Sequence, residues 1–205
     1  MAITLQDIKR SLDAHAPEVS TAPPVKTGVR AAVALITRQA GDDVEILFIR
    51  RSEFEGDPWS GDIAFPGGRI DTPDEPPRTA AERETVEEVG IELGDNEYLG
   101  RVDDVTGRTE AVLVSGFVYG LDGPVELTPN HEVAAARWVT MNTLVEPSRQ
   151  VTRSFKYLEH DVEMPALEIF DDHSPVLWGL TYRFTEIFMQ LVGRPIPGMR
   201  WRTDL

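Results

Sequence analysis

The most informative part of this sequence is the acidic stretch Thr79-Ala80-Ala81-Glu82-Arg83-Glu84-Thr85-Val86-Glu87-Glu88-Val89-Gly90. Its pattern predicts a helix that begins at about residues 76–79 and ends at Val89. At 100° per residue, Glu84, Glu87 and Glu88 lie within roughly 100° of one another on one helix face. Gly90 then stops the helix, because glycine readily adopts the left-handed conformation that follows a helix.

Two interpretations of this acidic face are open from the helix alone. One is a solvated outer face, where like charges at i,i+4 spacing cost only about 0.2–0.5 kcal/mol per pair. The other is a set of hard oxygen ligands for Mg²⁺ or Mn²⁺. The second requires space beside the carboxylates, and we expect the small side chains of Ala80 and Ala81, one turn earlier, to leave room for a ligand.

The segment just upstream favours the metal interpretation. It reads Phe65-Pro66-Gly67-Gly68-Arg69-Ile70-Asp71, and its two adjacent glycines allow backbone groups to come close to an ion or a phosphate. A glycine pair alone is usually a turn. Glycine pair, loop and acidic helix together form a far more specific pattern.

This combination resembles the box of the Nudix hydrolase family, which runs from a glycine through a glutamate to an Arg-Glu-aliphatic-any-Glu-Glu-any-Gly-aliphatic helix. Two departures occur. Thr85 stands where the box has an aliphatic residue, and the loop between Gly68 and Arg83 is one residue longer, so that Glu75 keeps its spacing to Arg83 but not to Gly68. The role of Glu75 is left open. The matching residues are Arg83, Glu84, Glu87, Glu88, Gly90 and Ile91.

The resemblance implies an α+β Nudix fold, a mixed β-sheet sandwiched between α-helices, and hydrolysis of a diphosphate with Mg²⁺ or Mn²⁺. It implies Glu84 and Glu88 as principal metal ligands, Glu87 in the same cluster, and a backbone carbonyl of Gly67 or Gly68 in the shell. Arg83 would hold the carboxylates through paired hydrogen bonds, a role suited to a planar guanidinium.

Other site residues are less specific. Arg51 and Arg69 are candidates for contacting substrate phosphate, or else are solvated arginines. The resemblance implies a general base either on the helix, which carries Glu84 and Glu87, or on a later loop. Glu132, beside His131, is the best candidate on a later loop, with a solvated loop pair as the alternative. Trp59 either stacks on a substrate ring or anchors its loop.

The resemblance extends to the coenzyme A pyrophosphatase branch, whose members cut coenzyme A into 3′,5′-ADP and 4′-phosphopantetheine. It is carried by Phe48-Ile49-Arg50-Arg51-Ser52, by residues 61–71 and by Trp178-Gly179-Leu180-Thr181. One departure is the loop before Gly61, which is acidic where that branch usually has Arg and His. Hydrolysis of ADP-ribose, nucleotide sugars or dinucleotides therefore stays open. A metal-free binding module and an RNA-decapping enzyme are further alternatives.

Composition limits the function classes. The net charge of −15 disfavours nucleic-acid binding and calls for cations wherever a phosphate is bound. The chain has no cysteine, so it forms neither a disulfide nor a thiolate metal site. It shows no apolar run of membrane-spanning length and no secretory signal pattern, which predicts a cytoplasmic protein without a membrane partner.

The element pattern predicts one domain: an N-terminal helix and linker (1–27), a Nudix core (28–194) and a C-terminal tail (195–205). The tail packs on the domain or on the partner of a homodimer, and the sequence leaves both open. A final helix is predicted from a Ser174 cap, with Pro175 in the first turn, to Gly193. Strands are predicted at Val29–Thr37, Val44–Arg50, Leu99–Val105, Ala111–Tyr119, Ala136–Val139, Ser154–Leu158 and Leu167–Phe170.

Overall fold

A computed structural model describes residues 2–20, 28–56, 59–72, 75–94, 97–107, 112–157, 160–170 and 175–198, without the side chains of 155–157 and 160. The helices are α1 (Leu5–Asp13), α2 (Pro77–Val89), α3 (Met141–Leu144) and α4 (Gly179–Leu191), with a 3₁₀ turn at Pro147–Arg149. The strands are β1 (Val29–Ala40), β2 (Asp43–Arg51), β3 (Ile63–Ala64), β4 (Gly67–Arg69), β5 (Tyr98–Arg101), β6 (Val105–Thr106), β7 (Val112–Leu121), β8 (Val133–Thr140), β9 (Gln150–Tyr157) and β10 (His160–Leu167).

The central sheet is mixed. Strand β1 runs parallel to β7 over ten residue pairs, from Val29↔Val112 to Arg38↔Leu121, whereas β2 is antiparallel to β1 and to β8. The short strands β3 and β4 pair with β2 and β1 respectively, at the end where those two long strands separate. Strands β9 and β10 form a separate antiparallel pair.

Both faces of the sheet are covered, which confirms the predicted α+β sandwich. Successive residues of a strand point to opposite faces, and in β1 Leu35 enters one apolar cluster while Ala34 and Ile36 enter the other. The first cluster includes residues of α1 and α4, and the second includes residues of α2. This double burial explains the nearly continuous apolar sequences of β1 and β2.

Several elements differ from the sequence prediction. Helix α4 begins at Gly179 and not at Pro175, because Leu177 exchanges backbone hydrogen bonds of 2.8 Å with Leu167 and this keeps the preceding segment extended. Strand β10 ends at Leu167, so the strand predicted at Leu167–Phe170 is wrong. The Leu99–Val105 prediction is divided between β5 and β6. The predicted Ser174 cap and residues 199–205 of the tail lie outside the described residues.

Within the described ranges, none of the helices has the length and apolar character required to span a bilayer.

Candidate active site

Helix α2 lies against β1 and β4, at the end of the sheet where β1 and β2 separate. Ala80 and Ala81 are completely buried in the cluster beneath this helix. Their small size thus serves close packing of helix on sheet, and the expectation that they leave room for a ligand is wrong. Thr85 is also buried, and its hydroxyl donates to the carbonyl of Ala81 at 2.7 Å, which satisfies the polar atom in an otherwise apolar position.

The twin glycines of β4 bring backbone and carboxylates into direct contact. Gly67 has φ of +151°, and a Cβ there would overlap the backbone oxygen of Ala32. A Cβ on Gly68 would overlap the carboxylate of Glu84. The Gly67 N–H donates to Glu88 Oε2 at 2.8 Å. A side chain at position 67 would therefore push the turn away from β1, and one at position 68 would push it away from Glu84 of the helix.

Glu88 is the most deeply buried acidic residue of the helix, with 2% of its surface exposed. Burial raises the pKa of its carboxyl to about 7, and the charges of Glu84 and Glu132 act in the same direction. The Gly67 hydrogen bond and the charge of Arg51 oppose this rise. A carboxylate held in this way gains strongly from a nearby cation.

Glu84 and Glu87 occupy different environments. The Glu84 side chain is 16% exposed, and burial raises its pKa, against the opposing effect of Arg83. Glu87 is 54% exposed and lies 3.5 Å from Arg83 Nη1. The three predicted acidic residues thus share a helix face, with Glu88 deepest, Glu84 intermediate and Glu87 at the rim.

Arg83 connects the helix to the loop that precedes it. Its Nη1 donates to Glu84 Oε1 at 2.9 Å, and its Nε donates to Glu75 Oε1 at 3.2 Å. Its Nη2 donates to the carbonyl of Arg69 at 3.1 Å. Although burial lowers the pKa of this guanidinium, the hydrogen bonds to Glu75 and Glu84 raise it overall. Arg83 therefore fixes the orientation of Glu84 while remaining charged.

Glu75, whose role the sequence left open, has a clear structural position. Its second oxygen accepts from the Asp71 N–H at 2.8 Å, and this bond, followed by the one from Arg83, lowers its pKa. Glu75 therefore closes the loop between β4 and α2 onto Arg83. The retained spacing to Arg83 was the sequence signal for this contact.

The loop before β8 brings Glu132 to the same site. Thr128 N–H and Asn130 N–H donate to the carbonyls of Val89 and Glu88 at 2.9 and 3.0 Å, which docks the loop on the end of α2. Glu132, with a side chain 46% exposed, is near enough for its charge to raise the pKa of Glu88. His131 is 79% exposed, and its ring faces Phe54 at 6.3 Å.

The three predicted substrate-binding residues are spread around this cluster. Arg51 is half-buried at the end of β2, and its charge lowers the pKa of Glu88. Arg69 is exposed at the end of β4, next to the twin glycines. Trp59 is 42% exposed on the loop between β2 and β3. The charge of Arg51 thus acts on the buried Glu88, whereas Trp59 lies on the loop between β2 and β3.

The donor chemistry of this site fits a hard divalent cation. The Glu84 and Glu88 carboxylates, which contact the glycine turn, offer hard oxygen ligands, and burial raises the pKa of both. Among the residues that the structure describes, no group of three or more histidine, aspartate or glutamate side chains is arranged to hold a metal ion. Mg²⁺ is commonly bound through only one or two carboxylates together with substrate phosphates, a mode that needs no group of three.

Comparison with solved structures is consistent with the architecture. A MutT/nudix family protein from Enterococcus faecalis superposes with a TM-score of 0.55 at 15% identity, covering 94% of this chain and 81% of that one. A bifunctional NMN adenylyltransferase/ADP ribose pyrophosphatase from Francisella tularensis gives 0.55 at 16% identity, covering 92% and 46%. At these identities the likeness concerns the fold alone.

Sequence comparisons give two relatives and one matching family model. An uncharacterized protein of Schizosaccharomyces pombe is 31% identical over 160 residues, which cover 68% of this chain and 49% of that protein, so the chain spans about half its length. A mitochondrial coenzyme A diphosphatase of Mus musculus is 28% identical over 151 residues, covering 72% and 70%. The model of the NUDIX domain matches residues 27–160. The chain therefore belongs to the Nudix hydrolase family.

Proposed function

We propose that this protein is a Mg²⁺- or Mn²⁺-dependent pyrophosphohydrolase that cleaves the diphosphate bond of a nucleoside diphosphate derivative. The observation that carries the proposal is the seating of Glu84 and Glu88 against the twin-glycine turn. Glu88 accepts from the Gly67 N–H, and the Glu84 carboxylate occupies the space that a side chain at position 68 would fill. A solvated acidic face would need neither contact.

Glu84 and Glu88 would hold the metal, together with a backbone carbonyl of Gly67 or Gly68, and Glu87 would contribute from the rim. The bound ion would supply charge stabilisation for the phosphoryl oxygens and lower the pKa of a coordinated water. Arg83 keeps Glu84 oriented through its 2.9 Å hydrogen bond. Arg51 and Arg69 would bind the phosphates on either side of the carboxylates.

Glu132 is the proposed general base. Its loop is tied to the end of α2, and its backbone is fixed by hydrogen bonds from Ser52 N–H to its carbonyl and from its own N–H to Asn130 Oδ1. A proton leaving the attacking water would pass to the Glu132 carboxylate. Its neighbour His131 turns towards Phe54 and is the less suitable acceptor.

Coenzyme A is the proposed substrate, since the Mus musculus relative is a coenzyme A diphosphatase. Hydrolysis would give 3′,5′-ADP and 4′-phosphopantetheine, and Trp59 would stack on a substrate ring. The exposed Glu53 and Glu55 flank this region and would repel an additional phosphate. ADP-ribose, nucleotide sugars and dinucleotides are therefore the second candidates.

The test is hydrolysis of these four substrate classes with Mg²⁺ or Mn²⁺ and identification of products by mass. We expect one class to be cleaved at the diphosphate, and Glu88→Gln to remove nearly all turnover. The exposed Glu92 lies beyond the helix, and Glu92→Gln is the matched control.

Turnover by Glu88→Gln within a few-fold of the parent would refute the ligand assignment. Absence of cleavage for every diphosphate would favour a binding module instead. Localisation of the tagged protein in cells would test the expected cytoplasmic location, for which the mitochondrial relative supplies the competing outcome.

A further inference from the structure

Trp178 lies outside the matched NUDIX region, yet it contacts the segment that leads to the glycine turn. Its indole Nε1 donates to Asp62 Oδ1 at 3.0 Å. Asp62 immediately precedes β3, and six residues further along the chain is Gly68. The contact joins residues 116 positions apart in the sequence. We propose that Trp178 is a positioning residue that fixes the loop between β2 and β3 for the hydrolytic reaction.

The Trp178 side is rigidly supported. Leu177 is bridged to Leu167 at the end of β10, and the carbonyl of Trp178 accepts from Tyr182 N–H in the first turn of α4 at 3.2 Å. Helix α4 contributes several buried residues to the larger apolar cluster. The guanidinium of Arg153 in β9 lies over the indole ring, 4.7 Å from its centroid, which is within the range of a cation–π contact.

The Asp62 side leads directly to site residues. The carbonyl of Asp62 accepts from Arg51 N–H at 3.0 Å, so this residue aligns the start of β3 with the strand end that bears Arg51. Beyond β3, the carbonyl of Pro66 accepts from Ala34 N–H at 2.8 Å, and Gly67 then donates to Glu88. A shift of Asp62 is therefore transmitted to Arg51 on one side and to the glycine turn on the other.

The indole N–H is the group that matters in this arrangement. A hydrogen bond to a carboxylate is stronger than one between neutral groups. Loss of the bond from Trp178 to Asp62 should therefore release the loop even when no buried apolar side chain is removed. Trp178→Phe removes the donor and retains a ring beside Arg153. Asp62→Ala removes the acceptor, and Asp62→Asn keeps an acceptor oxygen without the charge.

We expect Trp178→Phe and Asp62→Ala each to lower kcat/KM about ten-fold or more, the size expected for a lost charged hydrogen bond. The substrate KM and the Mn²⁺ concentration for half-maximal activity should both rise, which loss of folded protein alone would not cause. Their double variant should be no worse than the stronger single variant. Asp62→Asn, which keeps an acceptor oxygen, should recover part of the activity that Asp62→Ala loses.

Trp138 provides a matched control, because it is another half-buried indole beneath an arginine, with Arg38 4.2 Å from its ring. Trp138→Phe should leave both constants unchanged. Hydrogen exchange of the backbone amides of residues 61–70 gives a second readout that needs no substrate. It should increase in Trp178→Phe and Asp62→Ala but not in Trp138→Phe.

The positioning role of Trp178 rests on the proposed hydrolysis, but different results would refute the role and the hydrolysis. A parent enzyme that cleaves no diphosphate would refute the proposed function, while the exchange pattern would still decide the contact. Unchanged exchange at residues 61–70 in Trp178→Phe, or additive losses of activity in the double variant, would overturn the positioning role of Trp178.

Discussion

Glu88 combines deep burial with an acidic side chain, and its titration should be visible in the stability of the protein. Its folded-state pKa is raised by burial from 4.5 to about 7. A raised pKa contributes stability that is fully present below about 4.5, the ordinary value for glutamate, and is lost as the pH rises through about 7. Ionising Glu88 without a cation therefore opposes folding.

We predict that, with chelator present, the free energy of unfolding of the parent falls between pH 4.5 and pH 7 relative to that of Glu88→Gln. The difference should reach up to about 3 kcal/mol, since one pKa unit corresponds to about 1.4 kcal/mol. Denaturant unfolding across this pH range measures it. Glu92→Gln should follow the parent, and parallel curves for the parent and Glu88→Gln would contradict the prediction.

Gly68 offers a test of the contact between the glycine turn and helix α2. A Cβ at this position would overlap the end of the flexible Glu84 side chain, which must then move away. We predict that Gly68→Ala lowers metal-dependent turnover by about 100-fold, the cost of roughly 1 Å misplacement in an active site. Activity and the melting temperature should be measured together.

Gly107 serves as the control for this substitution, because a Cβ there would make only ordinary contacts with Val112 at 3.7 Å. Gly107→Ala should keep full turnover. Equal activity of Gly68→Ala and Gly107→Ala would show that the position of Glu84 next to Gly68 is irrelevant to the reaction.

At the level of single residues, the sequence predicted the chemical type of the site better than the environment of each residue. Helical spacing placed three glutamates on one face, but spacing does not reveal depth. Burial of Glu88 follows from the close approach of α2 to β4, which depends on long-range pairing between β4 and β1. The contact of Glu75 with Arg83 likewise required the folded loop.

Helix α2 and the loop before β8 form the next level of organisation. Gly90 ends the helix with φ of +73°, and a Cβ there would overlap the Thr128 hydroxyl. Gly41 also has a positive φ, of +60°, but a Cβ there would have no atom within 4 Å. Alanine at position 41 therefore tests backbone strain alone, whereas alanine at position 90 tests backbone strain together with the contact to the Thr128 loop.

We predict that Gly41→Ala lowers the free energy of unfolding by about 1–2 kcal/mol, the strain of a left-handed alanine. Gly90→Ala should cost at least twice as much and should also lower kcat, because it displaces the loop that carries Glu132. Thermal unfolding and steady-state kinetics measure both effects. An equal loss of stability in the two variants would show that Thr128 does not restrain Gly90.

The elements themselves were largely predictable from periodicity and helix signals. The predicted N-terminal helix is present as α1, and a capping box between Thr4 and Asp7 begins it. The start of α4 was not predictable, because a backbone bridge between Leu167 and Leu177 overrides the helix-starting signal of Pro175. Such a bridge pairs two separate segments, and the pattern of residues within one segment does not reveal it.

The whole molecule has a net charge of −15, although its site is proposed to bind a negatively charged diphosphate. Like charges would oppose binding, so the site needs divalent cations as well as arginines to attract the substrate. The need for cations is greatest at the glycine turn, because the Glu84 and Glu88 carboxylates of α2 lie there. We therefore expect Glu84 and Glu88 to bind divalent cations there.

The most direct measurement is anomalous diffraction from crystals of the full chain grown with Mn²⁺. We predict an anomalous peak in bonding contact with the carboxylates of Glu84 and Glu88 and with a backbone carbonyl of Gly67 or Gly68, and its loss in Glu88→Gln. Mn²⁺ bound only elsewhere, or a Glu88 carboxylate without metal beside an ordered substrate, would contradict metal binding by Glu84 and Glu88.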